Sequence, residues 1–203
     1  MAYSRRRAFV VALIVAVLGL PAFAACDRAP AFQGTVIESA PIAPELPLID
    51  GASGEPFALR GRRADVTVVY FGYTHCPDVC PLTMGSLAAA VRSLPADQRD
   101  AVRVVMVTVD PERDTPEVMA RYVAHFESGF IGLSGPPDDV ARVLSDWAVD
   151  TVRGQADASG TYFMSHPAGV NVLDSRNRLR LVIHGDAEPT AIASDLRLLL
   201  RES

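Results

Sequence analysis

Val66-Thr67-Val68-Val69-Tyr70-Phe71-Gly72-Tyr73-Thr74-His75-Cys76-Pro77-Asp78-Val79-Cys80-Pro81 is the stretch on which the fold turns. Its first six residues are β-branched or aromatic with no alternation of polar positions. A run of that kind fits a strand buried on both faces of a sheet. The strand ends at Gly72, and a helix is expected after Pro81, running on to residue 93. The two cysteines therefore sit where a strand passes into a helix. Residues four apart on a helix have Cα atoms about 6 Å apart, within the range of about 4.4–6.8 Å that a disulfide spans, so the two sulfurs can bond to each other or chelate an ion. Pro77 and Pro81 lack an N–H, which favours a tight turn leading into the helix. Backbone N–H groups at a helix start lower a thiol pKa and make thiolate available.

Outward from this junction, residues 102–109 read as a second buried strand. Residues 116–126 read as a helix with Val118, Tyr122, Val123 and Phe126 on one face. A short strand at 130–133 and a helix at 138–148 follow. Strands at 170–173 and 179–183 flank Asp174-Ser175-Arg176-Asn177 as a hairpin, and a helix at 189–201 closes the chain. Upstream, Leu46-Pro47-Leu48-Ile49 and Phe57-Ala58-Leu59 read as an extra N-terminal β-hairpin. Strands alternating with helices predict an α/β protein. The closing hairpin and helix after a βαβ unit is the order of a thioredoxin-like fold: a central mixed β-sheet flanked by helices. Fold alone does not assign function.

Arg5, Arg6 and Arg7 precede an apolar run over residues 8–20, followed by Pro21-Ala22-Phe23-Ala24-Ala25-Cys26. That pattern is a secretory signal or membrane anchor over residues 1–25. Ala22-Phe23-Ala24 resembles a signal-peptidase site, and Phe23-Ala24-Ala25-Cys26 resembles a lipobox that would leave Cys26 as a lipidated N-terminus. Residues 26–42, rich in Ala and Pro, read as a flexible tether, and 43–203 as the domain. Among 203 residues, 49% are hydrophobic and 21% charged, which excludes disorder and coiled coil. Three cysteines exclude a disulfide-dense scaffold and a four-thiolate site. Formal charge is −5, and −8 once residues 1–25 are removed, which argues against nucleic acid as a partner.

Two thiolates alone make a weak metal site, so a further donor matters. His75 directly precedes Cys76, and its ring is expected to point away from a site the cysteines face. His125 lies on the 116–126 helix, and His184 ends a strand before Gly185-Asp186. His166 lies in Tyr162-Phe163-Met164-Ser165-His166-Pro167-Ala168-Gly169, just before the strand from Val170. In a thioredoxin-like order that loop lies beside the cysteine-bearing helix start, although 90 residues separate His166 from Cys76 and spacing alone does not single it out. The residues leave several chemistries open: a structural disulfide, a redox-active pair at Cys76 and Cys80, a zinc site of two Cys and one His, or a Cu(I) site favoured by soft thiolates.

Residues 71–81, followed by Val109-Asp110-Pro111-Glu112-Arg113-Asp114-Thr115-Pro116, resemble the Sco/SenC family of copper proteins, with the likeness running from about residue 43 to residue 201. The resemblance implies Cys76, Cys80 and His166 as ligands of copper, as Cu(I), Cu(II) or both. It also implies a partner in the copper-site subunit of cytochrome c oxidase, alongside other periplasmic copper or thiol-redox proteins. The place of work would be the periplasmic face of a bacterial cytoplasmic membrane, held by the N-terminal anchor or by lipid on Cys26. Family members carry an acidic residue before the histidine and a hydroxyl residue after it; here Ser165 and Pro167 flank His166. Rival readings are a thiol–disulfide oxidoreductase, separated from the copper reading at His166, and a peroxidase of the thioredoxin superfamily. Asp110 to Pro116 also reads as a helix start, with Thr115 or Asp114 as cap and Asp114 with Glu117 as a capping box.

Overall fold

The computed structural model describes residues 31–60 and 64–202. The signal or anchor, Cys26 and the first part of the tether lie outside the described residues. Among the described residues, no helix is long and apolar enough to cross a membrane.

Among the described residues, nine strands and five helices follow one another as β1 (Thr35–Val36), β2 (Ile49–Asp50), β3 (Val66–Gly72), α1 (Val79–Arg92), α2 (Ala96–Asp100), β4 (Val102–Thr108), α3 (Pro116–Phe126), β5 (Ile131–Ser134), α4 (Pro137–Asp146), β6 (Val152–Arg153), β7 (Met164–Ser165), β8 (Val170–Asp174), β9 (Leu179–Ile183) and α5 (Pro189–Arg201). Seven strands form one mixed sheet in the order β1-β9-β8-β3-β4-β5-β2. β3 pairs parallel with β4, and β4 with β5, while β8 joins β3 antiparallel. Every residue of β3 is buried, as its unbroken apolar run requires of a central strand. This is the α/β architecture expected from the order of elements.

Side chains alternate across the sheet. Tyr70 and its β4 partner Met106 face α1, whereas the neighbouring Phe71 ring lies 5.4 Å from Trp147 at the end of α4. Gly132 on β5 lets α3 lie directly on the strand, since a Cβ there would come within 2.6 Å of the Met119 carbonyl oxygen. α5 packs beside α1, with Ile192, Leu196 and Leu199 buried.

Four local differences from the sequence reading have plain causes. α1 begins at Val79, not after Pro81, because a proline in the first helical turn forfeits no hydrogen bond. The N-terminal hairpin closes with Asp50 N–H donating to Glu55 O and Phe57 N–H to Leu48 O, while β2 itself adds to β5. Part of the stretch read as tether lies on the domain: β1 pairs with β9, and Gln33 and Gly34 N–H donate to the buried Asp195 carboxylate at 2.7 and 2.8 Å. Last, β6 and β7 form a separate two-stranded sheet that periodicity did not show.

Candidate metal centre

β3 delivers the cysteine loop to the C-terminal end of the central strands, and the loop's path depends on two features. Gly72 is needed because a Cβ there would lie 3.0 Å from Cys80 Sγ and 2.8 Å from the Tyr70 ring. Asp114, fully buried at the start of α3, accepts hydrogen bonds from Thr74 N–H at 3.0 Å, Thr74 Oγ1 at 2.5 Å and Thr108 Oγ1 at 2.8 Å. The helix cap is Thr115, whose hydroxyl accepts from Val118 N–H. Asp114 turns away from the helix to hold the cysteine loop, so the capping box with Glu117 does not form.

The two cysteines are not joined and sit in unlike surroundings. Cys76 is half-buried, and Cys80 N–H points at its sulfur at 3.4 Å. Burial pushes the Cys76 thiol up, but the N–H groups of Cys80, Asp78 and Val79, with the Cys80 side chain, outweigh it and bring the pKa below the ordinary thiol value. Cys80 lies in the first turn of α1, wholly enclosed. Its thiol is pushed up to about 12, chiefly by burial. Tyr70 OH donates to Cys80 Sγ at 3.3 Å.

His166 follows β7 and meets this pair: its Nε2 lies 3.5 Å from Cys80 Sγ. Nδ1 lies 2.9 Å from the Pro167 carbonyl, which can only accept, so Nδ1 carries the proton and Nε2 presents a lone pair to the sulfur. The ring stands edge-on to Tyr70 and Tyr73, at centroid distances of 6.2 and 5.8 Å. Burial lowers its pKa, which keeps the imidazole neutral. The other histidines stay away. His75 is turned to Thr74 Oγ1 at 3.0 Å and Asp114 Oδ1 at 3.7 Å, His125 packs on Phe126, and His184 is exposed.

Among the described residues, no three His, Cys, Asp or Glu side chains are already gathered as a metal cage; the donors meet as two linked pairs through Cys80. Metal–sulfur and metal–nitrogen bonds of about 2.3 and 2.0 Å at a tetrahedral angle place the two ligand atoms about 3.5 Å apart, the separation found between Cys80 Sγ and His166 Nε2. A carbonyl on the second ring nitrogen is the usual device for orienting a ligating histidine. Two sulfurs and one imidazole form a soft set that suits copper. Tyr70, Tyr73 and the bracing role of Asp114 escaped the sequence reading; all three lie within or beside the quoted motifs, but only folded proximity gives them their partners.

Comparison with known proteins shows the family. A family model described as SCO1/SenC matches residues 37–201. The SCO2-like protein of Rickettsia felis is 30% identical over 154 residues, covering 75% of this chain and 74% of that one. The mitochondrial SCO2 homolog of Mus musculus is 36% identical over 122 residues, 60% of this chain, and the match spans about half (48%) of its length. Bradyrhizobium japonicum ScoI, solved with copper bound, superposes with a TM-score of 0.70 at 31% identity, over 77% of this chain and 98% of that one. With a family model over residues 37–201 and relatives and solved structures of this identity and coverage, the chain belongs to the Sco/SenC family, whose thioredoxin-like fold it shares.

Proposed function

We propose that this protein binds one copper ion between the sulfurs of Cys76 and Cys80 and Nε2 of His166, and delivers it to the copper-site subunit of cytochrome c oxidase. In this reading it works tethered at the periplasmic face of the cytoplasmic membrane, through its N-terminal segment or a lipid on Cys26. The observation that carries the proposal is the approach of His166 Nε2 to Cys80 Sγ at 3.5 Å with Nδ1 already engaged by Pro167. Membership of a family with a copper-bound structure supports the choice of metal. BsSco, of the same fold, is a member of the Sco family of cytochrome c oxidase assembly proteins, which supports the choice of acceptor.

Release is a ligand exchange. An incoming thiolate from the partner bonds to copper as the imidazole leaves, and the two sulfurs of this chain follow, taking up protons as they go. No electron moves in that step. Exposed Val79, Leu82 and Phe163 give a partner an apolar surface beside the cysteines and the histidine.

The test uses the full chain, purified and reduced, in competition with a Cu(I) chelator. One copper per chain is expected. His166→Ala should weaken binding at least as much as loss of an outer-shell partner does, about 10–100-fold. A reduced chain that takes up no Cu(I) sinks the reading.

One observation favours a second reading, thiol–disulfide exchange. Cys76 is accessible with a lowered thiol pKa, while Cys80 is enclosed, the asymmetry of an attacking and a resolving thiol. Cys76 thiolate would open a partner's disulfide to form a mixed disulfide. Cys80 would then displace the partner as a dithiol, leaving Cys76–Cys80 oxidised by two electrons. His166→Ala should leave that exchange intact, which separates the two readings.

A further inference from the structure

His166 is carried by a piece of the molecule that the main sheet does not hold. β6 and β7 pair only with each other, Arg153 opposite Met164 and Val152 opposite Ser165. β8 ties the chain to the main sheet only from Val170 onward, so on its upstream side the imidazole's place relative to the cysteines depends on what fastens this small hairpin down. Four residues ahead of His166, the Tyr162 ring is 5% exposed and lies between two guanidinium groups, with Arg113 Cζ 3.6 Å from its centroid and Arg153 Cζ 3.8 Å. Arg113 comes from the loop after β4, whereas Arg153 comes from β6 itself.

Hydrogen bonds lock the stack from both ends. Tyr162 OH donates to Asp110 Oδ1 at 2.9 Å, and Arg113 Nη1 donates to the Tyr162 carbonyl at 3.1 Å. Arg113 Nε reaches Asp110 Oδ2 at 2.5 Å, and Arg153 Nη1 reaches Glu112 Oε2 at 2.7 Å. Arg113 also stands 5.9 Å over the Tyr73 ring, which itself stands edge-on to His166. The loop at 110–113 thus grips the hairpin on one side and the approach to the cysteines on the other.

We propose that Tyr162, clamped between Arg113 and Arg153, is a positioning residue that sets His166 against Cys76 and Cys80. A stack of cations on an aromatic face is strongest where water is excluded, a condition the enclosed ring and the largely buried Arg113 meet, while Arg153 closes the other face from a half-exposed position. This inference rests on the reading of His166 as the third copper donor and concerns how that donor is held.

The experiment uses the full chain with Tyr162→Leu, Tyr162→Phe and His166→Ala. Three readouts are taken: Cu(I) affinity by chelator competition, nitrogen hyperfine coupling in the Cu(II) electron paramagnetic resonance spectrum, and the reduction midpoint of the Cys76–Cys80 pair. Tyr162→Leu should weaken copper about 10–100-fold, as loss of an outer-shell partner does, and diminish the nitrogen coupling while leaving the midpoint in place. Tyr162→Phe keeps the stack and should restore most of both signals. Arg153→Leu removes a half-exposed side chain from one face of the ring and carries the same prediction if Tyr162→Leu does not fold. Wild-type affinity and nitrogen coupling in the folded clamp variants, with both lost in His166→Ala, overturn the positioning role while the ligand stands. No change in His166→Ala overturns the ligand reading itself.

Discussion

Asp114 joins the two halves of the motif pair. Its sequence neighbours, Thr115 and Pro116, mark a helix start, and that much is readable from local rules. Its carboxylate nevertheless serves Thr74, 40 positions earlier, and Thr108. Asp114→Ala would take the acceptor from the buried Thr108 hydroxyl and from the part-buried Thr74 N–H, and each such donor costs about 1–3 kcal/mol. The expected loss is about 2–4 kcal/mol in urea unfolding of the reduced chain, with Asp114→Asn milder because the amide oxygen still accepts. A loss within the error of the wild-type value would show that the loop holds its path without this brace. His166 teaches the same lesson: its residue type marks it as a donor, but only its 3.5 Å approach to Cys80 sets it apart from His75, His125 and His184.

Helices and the longer strands followed their periodicity closely. α3, β9 and α5 begin and end where the sequence placed them, because the two helices carry a proline start and β9 an apolar run broken only by Arg180. The hairpin of β6 and β7 was missed although a turn signal was present: Asp157 Oδ1 accepts from Ser159 and Thr161 N–H, and Gly160 takes a positive φ. Two-residue strands are too short to show a period of two. Close approach of α3 to β5 was equally invisible. Gly132→Ala should force α3 away from the strand, since the new Cβ would meet backbone that cannot rotate aside. A destabilisation of about 1–3 kcal/mol is expected from overpacking; an unchanged urea midpoint would show that the helix shifts freely.

Across the molecule, acidic residues outnumber basic ones by 24 to 19, and several are enclosed. Asp174, at the end of β8, accepts from Arg176 N–H, Arg178 N–H and the Arg178 guanidinium. Burial pushes its carboxyl up, but those hydrogen bonds and the Arg178 charge outweigh it and hold the pKa below the usual value. A folded pKa lower than the unfolded one, about 3.9, means the carboxylate stabilises the fold fully above that pH and loses its contribution as pH falls through the folded value. Asp174→Asn should therefore unfold more readily than wild type at pH 7, and the gap should narrow below about pH 4. Urea midpoints at pH 7, 5 and 3 check this, and a gap that is constant over the series would rule out titration of Asp174 as its source.

Chemistry-bearing residue types, the buried central strand and the order of the longer helices and strands were settled by the sequence alone, because they depend on interactions within a few residues: pleat alternation, helix capping and the stiffness of proline. Tertiary structure alone decided that Nε2 of His166 meets Cys80, that Asp114 holds Thr74, and that Tyr162 lies between two arginines. Those contacts join segments 40 to 86 residues apart or belong to a hairpin too short to announce itself. Proximity between such segments is a product of sheet order and packing, which no local pattern encodes.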